Sequence, residues 1–343
     1  MNHVTPAEPD TRLATLTTWL NACLGGRRLN IAPASADASF RRYFRIWDGD
    51  RTYVAMDAPP PQEDVSPFVA VARALESAGL HVPHIHEVDA QRGFLLLSDL
   101  GSTHYLAALT AGASPASLYE PAATALLAMQ SHPELKTGLG SYDRAVLTRE
   151  VRLFPDWFLA RHLELPVDGA VEELLARTLD VLVTAVEEQP SVFVHRDFHC
   201  RNLMVSPPRT PGILDFQDAI NGPATYDLVS LYKDCYVRWP RGEVIGWVEN
   251  YRLRARAAGH RLPDSGEFLR WFDLMGAQRH LKVLGIFCRL WYRDGKSSYL
   301  GDLPRVFDYV REVTALYPEL AELNRFLAGA APGFADAQRR VGA

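Results

Sequence analysis

The sequence predicts an α+β fold of two lobes, a small β-rich lobe followed by a larger, mainly helical lobe. Three observations support this class. β-rich segments flank a turn at 48–50, long stretches with helical apolar spacing begin only after Gly101, and 343 residues exceed the roughly 100–200 residues of one domain. We therefore expect an N-terminal helix in 1–26 that docks on the lobes, a first lobe in 27–100 and a second lobe in 101–343.

The elements of the first lobe are predicted from local signals. Thr11 is placed to cap a helix whose apolar residues share one face until the Gly25-Gly26 pair ends it. Residues 40–47 and 52–57 are rich in β-formers and flank Asp48-Gly49-Asp50, which indicates an antiparallel hairpin. The other elements expected here are a helix over 67–78 and apolar β-segments at 82–88 and 94–97.

The second lobe is predicted from amphipathic periodicity. Stretches 118–129, 147–163, 171–188 and 268–292 each carry the apolar stripe of a helix that packs on a core. Two short apolar segments, at 192–194 and 213–214, interrupt this helical pattern and border the most polar motif of the chain.

Composition excludes several classes of protein. Apolar residues make up 48% of the chain and charged residues 22%, which is the balance of a globular enzyme. The net charge of −5 argues against a general affinity for nucleic acid or anionic lipid, and no apolar stretch approaches the ~20 residues of a membrane span. The four cysteines form no C-x-x-C pair, so we expect free thiols in a cytoplasmic protein.

One polar motif lies between the two short apolar segments. It runs His195-Arg196-Asp197, four further residues and Asn202, and Asp215 follows after a turn. This is the His-Arg-Asp-x4-Asn and Asp-Phe pattern of kinase catalytic loops. Because phosphoryl transfer needs a carboxylate beside the attacking hydroxyl and hard oxygen ligands for Mg²⁺, we expect Asp197 as the base and Asn202 with Asp215 as metal ligands. Taken singly, such residues are more often packed histidines and turn formers, but their joint spacing favours catalysis.

This motif and four further blocks resemble the aminoglycoside phosphotransferase and choline kinase superfamily. The blocks are residues 35–45, 95–101, 213–228 and 278–287. The arginine-rich first block and the last one, which begins at Gln278, are similar to the N-acetylmuramate/N-acetylglucosamine anomeric kinases of bacterial cell-wall recycling. The resemblance therefore covers both lobes.

The resemblance implies a protein-kinase-like bilobal fold, with ATP and Mg²⁺ as cofactors and a small-molecule amino sugar as substrate. The product would be a sugar 1-phosphate, made by a monomeric protein that binds the nucleotide in its first lobe. Asp227 is expected to brace the catalytic loop. Residues expected at the nucleotide are Ser35, Asp37, Ser39, Arg42, Leu97 and Asp99, and residues expected at the sugar are His199, Arg279 and His280.

The chain departs from the general kinase pattern in the first lobe. Residues 34–40 contain no glycine where a phosphate loop is expected, and Met56 occupies the position of the lysine that neutralises the α- and β-phosphates. Arg41, Arg42 or Arg45 could supply the missing charge, because arginine binds phosphate well. Alternatively, these arginines lie on the solvent face of the hairpin.

Three functions stay open at this point. The first is an anomeric amino-sugar kinase, and the second is a kinase of another small alcohol, such as an aminoglycoside or a choline-like compound. Cations on the last helix, including Arg279, suit a substrate with a carboxylate and argue against a cationic one. The third is a nucleotide-binding scaffold without catalysis. Met56 favours the scaffold, whereas intact Asp197, Asn202 and Asp215 argue against it.

Overall fold

The first lobe is built on a five-stranded antiparallel sheet. A computed structural model describes residues 10–26, 29–36 and 40–342 of the chain. The sheet has the strand order β1-β2-β3-β5-β4. The elements of this lobe are α1 (Thr11–Cys23), β1 (Asn30–Ala36), β2 (Arg42–Asp48), β3 (Arg51–Asp57), α2 (Ser66–Ser77), β4 (Ile85–Asp89) and β5 (Phe94–Ser98).

A helix covers each face of this sheet. Successive side chains of a strand point to opposite faces, so apolar residues of the strands pack against a helix on either side. Phe44 and Ile46 of β2 pack with Leu16 and Leu20 of α1 on one face. On the other face, apolar residues of β3 and β5 pack with α2. Helix α1 therefore belongs to the core of the first lobe. Its N-cap is Asp10, whose side chain accepts from the Leu13 amide, and not Thr11 as the sequence suggested.

The second lobe is mainly helical and contains two small sheets. Strands β6 (Ser191–Val194) and β9 (Ile220–Pro223) form one sheet, and β7 (Leu203–Met204) and β8 (Gly212–Ile213) form the other. The helices are α3 (Tyr105–Thr110), α4 (Pro115–Ser131), α5 (Arg144–Leu153), α6 (Gly169–Glu187), α7 (Tyr226–Tyr232), α8 (Arg241–Ala257), α9 (Ser265–Tyr292), α10 (Leu303–Leu316) and α11 (Ala321–Val341). The predicted α+β class, with a sheet lobe and a helical lobe, is confirmed.

Helix α9 is the central element of the second lobe. It packs against α5, α6, α7, α8 and α10, and most of its side chains are buried. Gly285 permits its closest approach to α5, since a Cβ there would lie 2.3 Å from the carbonyl carbon of Leu153. The helix predicted over 147–163 changes into a π-helix at Phe154–His162, where Pro155 lacks the backbone N–H that donates a hydrogen bond in an α-helix.

Two predictions from composition can be compared with the structure. All four cysteines are free thiols, as expected, and Cys200, Cys235 and Cys288 are buried. In the described part of the chain, no helix combines the length and the apolar character that a bilayer crossing requires.

Candidate active site

The catalytic loop lies between β6 and β7 and is anchored by His195. The Nε2 atom of His195 donates to the carbonyl oxygen of Leu214 at 2.9 Å, and its Nδ1 accepts from the amide of Asp197 at 3.3 Å. Burial lowers the pKa of His195 to about 4, so the ring is neutral at pH 7. A neutral ring with its proton on Nε2 fits both bonds and joins the loop to the segment before Asp215.

Asp227, at the start of α7, binds the main chain of the same loop. Its carboxylate is fully buried and accepts from the amides of His195 at 2.7 Å and Arg196 at 3.0 Å. Arg196 has a φ of +77°, a conformation that non-glycine residues seldom adopt. The two bonds therefore stabilise a strained turn just before Asp197. The bracing role expected for Asp227 is confirmed.

The structure brings Asp197, Asn202 and Asp215 together. The Nδ2 atom of Asn202 donates to the carbonyl oxygen of Asp197 at 3.0 Å and to Oδ2 of Asp215 at 3.1 Å. Gln217 donates to the other carboxylate oxygen of Asp215 at 2.8 Å. Asp215 has a φ of +63°, and the next residue, Phe216, is buried against Phe68 of α2. This packing fixes the direction of the Asp215 side chain.

Asp197 has a partly exposed carboxylate beside a buried arginine. Its side chain is 42% exposed, and Oδ1 lies 3.7 Å from Nη2 of Arg279 and 3.9 Å from Nε2 of His199. Burial would raise the pKa of Asp197, but nearby positive charge, that of Arg279 first, lowers it to about 2. Asp197 is thus ionised at physiological pH and can accept a hydrogen bond from a substrate hydroxyl.

A buried charge cluster supports the loop from α5 and α9, and the sequence did not reveal it. Glu150 of α5 accepts from Nζ of Lys282 at 2.7 Å and also from Arg196. Tyr142 and Gln278 donate to its other oxygen. Burial would raise the pKa of Glu150, but Lys282 and Arg196 outweigh it and hold that pKa below its usual value. Glu150 therefore fixes Arg196, the residue that precedes Asp197.

Arg279 lies next to this cluster. It is buried, donates to the carbonyl oxygen of Arg196 at 2.9 Å, and lies over the ring of Tyr226. His280 is buried too, but it does not face Asp197. Its Nε2 donates to the carbonyl oxygen of Lys233 at 2.9 Å, and its ring stacks on Tyr309. Of the residues expected at the sugar, the structure thus places His199 and Arg279 beside Asp197 and His280 elsewhere.

In the described part of the chain, the residues expected at the nucleotide lie in different parts of the first lobe and do not form one cluster. Arg42 lies on the α1 side of the sheet, where it donates to the buried carboxylate of Asp57 at 2.6 Å and also pairs with Asp10. Leu97 is buried in β5, and Asp99 follows that strand. Asp37 and Ser39 lie outside the described residues, as does the side chain of Ser35. Arg42 is therefore not brought to the cleft.

Among the described residues, none of the three arginines that could stand in for the phosphate-binding lysine, whose position Met56 occupies, is unpaired. Met56 is buried in the apolar core under α2. Arg45 pairs with Asp99 at 2.8 Å and donates to the carbonyl oxygen of Gly101, while Arg41 pairs with Glu63 at 3.5 Å. Arg42 and Arg45 of β2, and Arg41 just before that strand, are therefore each paired with a carboxylate in this structure.

The fold and the loop geometry define a phosphotransferase of the kinase fold. The chain belongs to the phosphotransferase enzyme family, whose profile matches residues 30–269. It is 52% identical over 335 residues to the N-acetylmuramate/N-acetylglucosamine kinase of Pseudomonas aeruginosa, covering 94% of this chain and 98% of that protein. It is 42% identical to the kinase of the same name from Neisseria meningitidis, covering 92% of this chain and 95% of that protein.

Solved structures agree on the fold. The ADP-bound aminoglycoside phosphotransferase APH(2'')-Ib superposes with a TM-score of 0.59 at 14% identity, covering 88% of this chain and 98% of that one. APH(4)-Ia superposes with a TM-score of 0.54 at 16% identity, covering 87% and 98%. The resemblance inferred from the sequence motifs and the kinase-like bilobal fold are both confirmed.

Proposed function

We propose that this chain is an ATP-dependent kinase that phosphorylates the anomeric hydroxyl of N-acetylmuramate and N-acetylglucosamine in peptidoglycan recycling. The observation that carries the proposal is the arrangement of the loop, in which the Asn202 amide donates to the main-chain carbonyl oxygen of Asp197 and to the carboxylate of Asp215. The relatives named N-acetylmuramate/N-acetylglucosamine kinase, at 42% to 52% identity, support the choice of substrate.

Asp197 acts on the acceptor in this proposal. The anomeric oxygen attacks the γ-phosphorus, the bond from that phosphorus to the bridging oxygen breaks, and ADP leaves. The hydroxyl proton passes to Asp197. A carboxylate with a pKa of about 2 is a weak base, which suits a loose transition state in which the proton moves late. Asp197 therefore contributes mainly by orienting the hydroxyl.

Asn202 and Asp215 would hold Mg²⁺. They offer an amide oxygen and a carboxylate, which are the hard oxygen ligands that Mg²⁺ prefers, and the positive φ of Asp215 directs its side chain toward Asn202. Within the described ranges, no group of three His, Cys, Asp or Glu side chains forms a metal site. A bound Mg²⁺ would supply charge neutralisation at the phosphates of the nucleotide.

The adenine would lie against the connection that follows β5. Leu97 and Asp99 would contribute backbone groups there, because the Asp99 side chain is occupied by Arg45 and by the amide of Gly101. Ser35, Asp37 and Ser39 stay proposed phosphate contacts. The lobe boundaries at residue 100, the monomeric state and the cytoplasmic location also belong to this proposal, and gel filtration with cell fractionation tests the last two.

An assay with several acceptors tests the proposal. Purified protein, ATP and Mg²⁺ are offered N-acetylmuramate, N-acetylglucosamine, choline and kanamycin while ADP release is followed. We expect turnover with the amino sugars, and a fall in kcat of about 10²- to 10⁴-fold for Asp197→Asn. Asp180→Asn, an exposed carboxylate that pairs with Arg144, is the matched control. Turnover with kanamycin alone would contradict the proposal, and no turnover with any acceptor would favour a scaffold.

A further inference from the structure

Arg201, in the catalytic loop, has a guanidinium group that no described residue binds by a hydrogen bond. Its side chain is 38% exposed, and the nearest carboxylate oxygen, Oδ2 of Asp302, lies 4.0 Å away. Asp302 also accepts a hydrogen bond from Arg305 through Oδ1 at 2.6 Å, so its charge is shared between two arginines. Among the described residues, the Arg201 guanidinium thus has this one long ion pair and no hydrogen bond.

Aromatic rings hold this guanidinium in place. Its Cζ lies 3.7 Å from the centre of the Tyr236 ring and 5.7 Å from that of Tyr299. Stacking on an aromatic face leaves the N–H groups at the edge of a guanidinium free to bind an anion. An arginine that aromatic rings position, and whose ion pair is as long as 4.0 Å, needs little reorganisation to bind a ligand.

The same Tyr236 ring connects Arg201 to the catalytic centre. His199 packs edge-on against Tyr236 with ring centres 5.4 Å apart, and His199 Nε2 lies 3.9 Å from Asp197 Oδ1. The buried Nδ1 of His199 has no partner among the described residues. Asn202, the next residue after Arg201, instead directs its amide toward Asp215. Arg201 and His199 therefore pack on the same Tyr236 ring, and His199 lies beside Asp197, where the acceptor hydroxyl is expected.

We propose that Arg201 binds the lactyl carboxylate of N-acetylmuramate while Asp197 orients the anomeric hydroxyl. This inference rests on the proposed function and assigns it a specificity-determining residue. A guanidinium matches a carboxylate in charge and in its paired donors. Arg279, the cation that the sequence favoured, is buried and already donates to the Arg196 carbonyl oxygen. Arg201, at 38% exposed against 4% for Arg279, is therefore the more accessible of the two arginines to a ligand.

The proposal has a consequence for selectivity. N-acetylglucosamine carries a free hydroxyl at C3 where N-acetylmuramate carries the lactyl ether, so it offers Arg201 no carboxylate. Removal of Arg201 should therefore change the preference between the two sugars. An arginine that only stabilised the loop would affect both sugars by a similar factor.

Steady-state kinetics with three acceptors test this role. The acceptors are N-acetylmuramate, its lactyl methyl ester and N-acetylglucosamine, and the variants are Arg201→Gln and Arg201→Lys. For Arg201→Gln we expect kcat/KM for N-acetylmuramate to fall about 10- to 100-fold relative to that for the ester, because a charge-assisted bond is lost. Arg201→Lys keeps the charge without the paired donors and should give a smaller change in this ratio. Arg144→Gln, an exposed arginine paired with Asp180, is the control.

The outcomes separate this inference from the function on which it rests. An equal fall for all three acceptors would assign Arg201 to loop structure and overturn the inference. An unchanged ratio for Arg201→Gln would overturn it as well. If Arg201→Gln does not fold, the same ratio measured for Arg201→Lys decides. A wild-type protein that turns over none of the sugars would refute the proposed function itself.

Discussion

Replacement of Glu150 by glutamine should destabilise the protein strongly. The carboxylate is buried, and it receives hydrogen bonds from Tyr142, Arg196, Gln278 and Lys282. Among the described residues, Arg196 and Lys282 each form an ion pair with Glu150 alone. Glutamine keeps the shape of the side chain but removes the negative charge, so Arg196 and Lys282 both lose the carboxylate that pairs with them.

The size of the effect follows from this burial. Leaving one member of a buried ion pair uncompensated costs about 3–5 kcal/mol. Folded proteins have a free energy of unfolding of about 5–15 kcal/mol, so the loss would be a large share of the total. The double variant Glu150→Gln with Lys282→Met removes one of the stranded charges and keeps most of the packing volume. It should regain part of the lost stability.

Equilibrium unfolding in urea measures the free energy of unfolding of both variants. Glu172→Gln is the matched control, because Glu172 is 44% exposed and pairs with Arg152 at the surface, where such a pair contributes about 0–1 kcal/mol. A loss below about 1 kcal/mol for Glu150→Gln would refute the reasoning, since it would mean that water already solvates the two cations. A double variant less stable than Glu150→Gln would refute the assignment of the cost to charge.

Two further predictions concern packing and pH. Gly285→Ala places a methyl group 2.3 Å from the Leu153 carbonyl and should lower the free energy of unfolding by about 1–3 kcal/mol; a stabilised variant in urea unfolding would contradict this. Because His195 has a pKa of about 4 in the folded protein and about 6.5 when unfolded, the unfolded chain binds more protons between these values. The contribution of His195 to the free energy of unfolding is complete above pH 6.5 and falls by about 3 kcal/mol toward pH 4. Unfolding measurements that show no change over this pH range would contradict the prediction.

The fold was largely predictable where the signals are local. The hairpin of β2 and β3 and helices α4, α6 and α9 follow from turn residues and apolar spacing, which neighbouring residues decide. Strand β1 was not predicted, since its Asn-Ile-Ala-Pro-Ala-Ser-Ala sequence has little β-character and depends on its pairing with β2. Helices α8, α10 and α11 were also missed; α8 carries several charged residues, and α11 contains Pro332.

The centre of the site was predictable because its members are close in sequence. Asp197, Asn202 and Asp215 lie on one loop and the segment after it. The pairing of Glu150 with Lys282 joins residues that are 132 positions apart, and a single sequence contains no signal for such a contact. Alternation along β2 correctly separated Arg42 from Arg45, but it could not tell which face turns toward the cleft. The packing of α1 decides that.

Helix α9 has a mechanical consequence for the enzyme. Its 28 residues extend over about 42 Å. Near its start, Asp273 binds Arg241 and Lys233. Further along, Arg279 donates to the Arg196 carbonyl oxygen in the catalytic loop, and Lys282 pairs with Glu150 of α5. Helix α9 therefore connects the catalytic loop, α5 and the segment around α7 and α8 into one stiff frame.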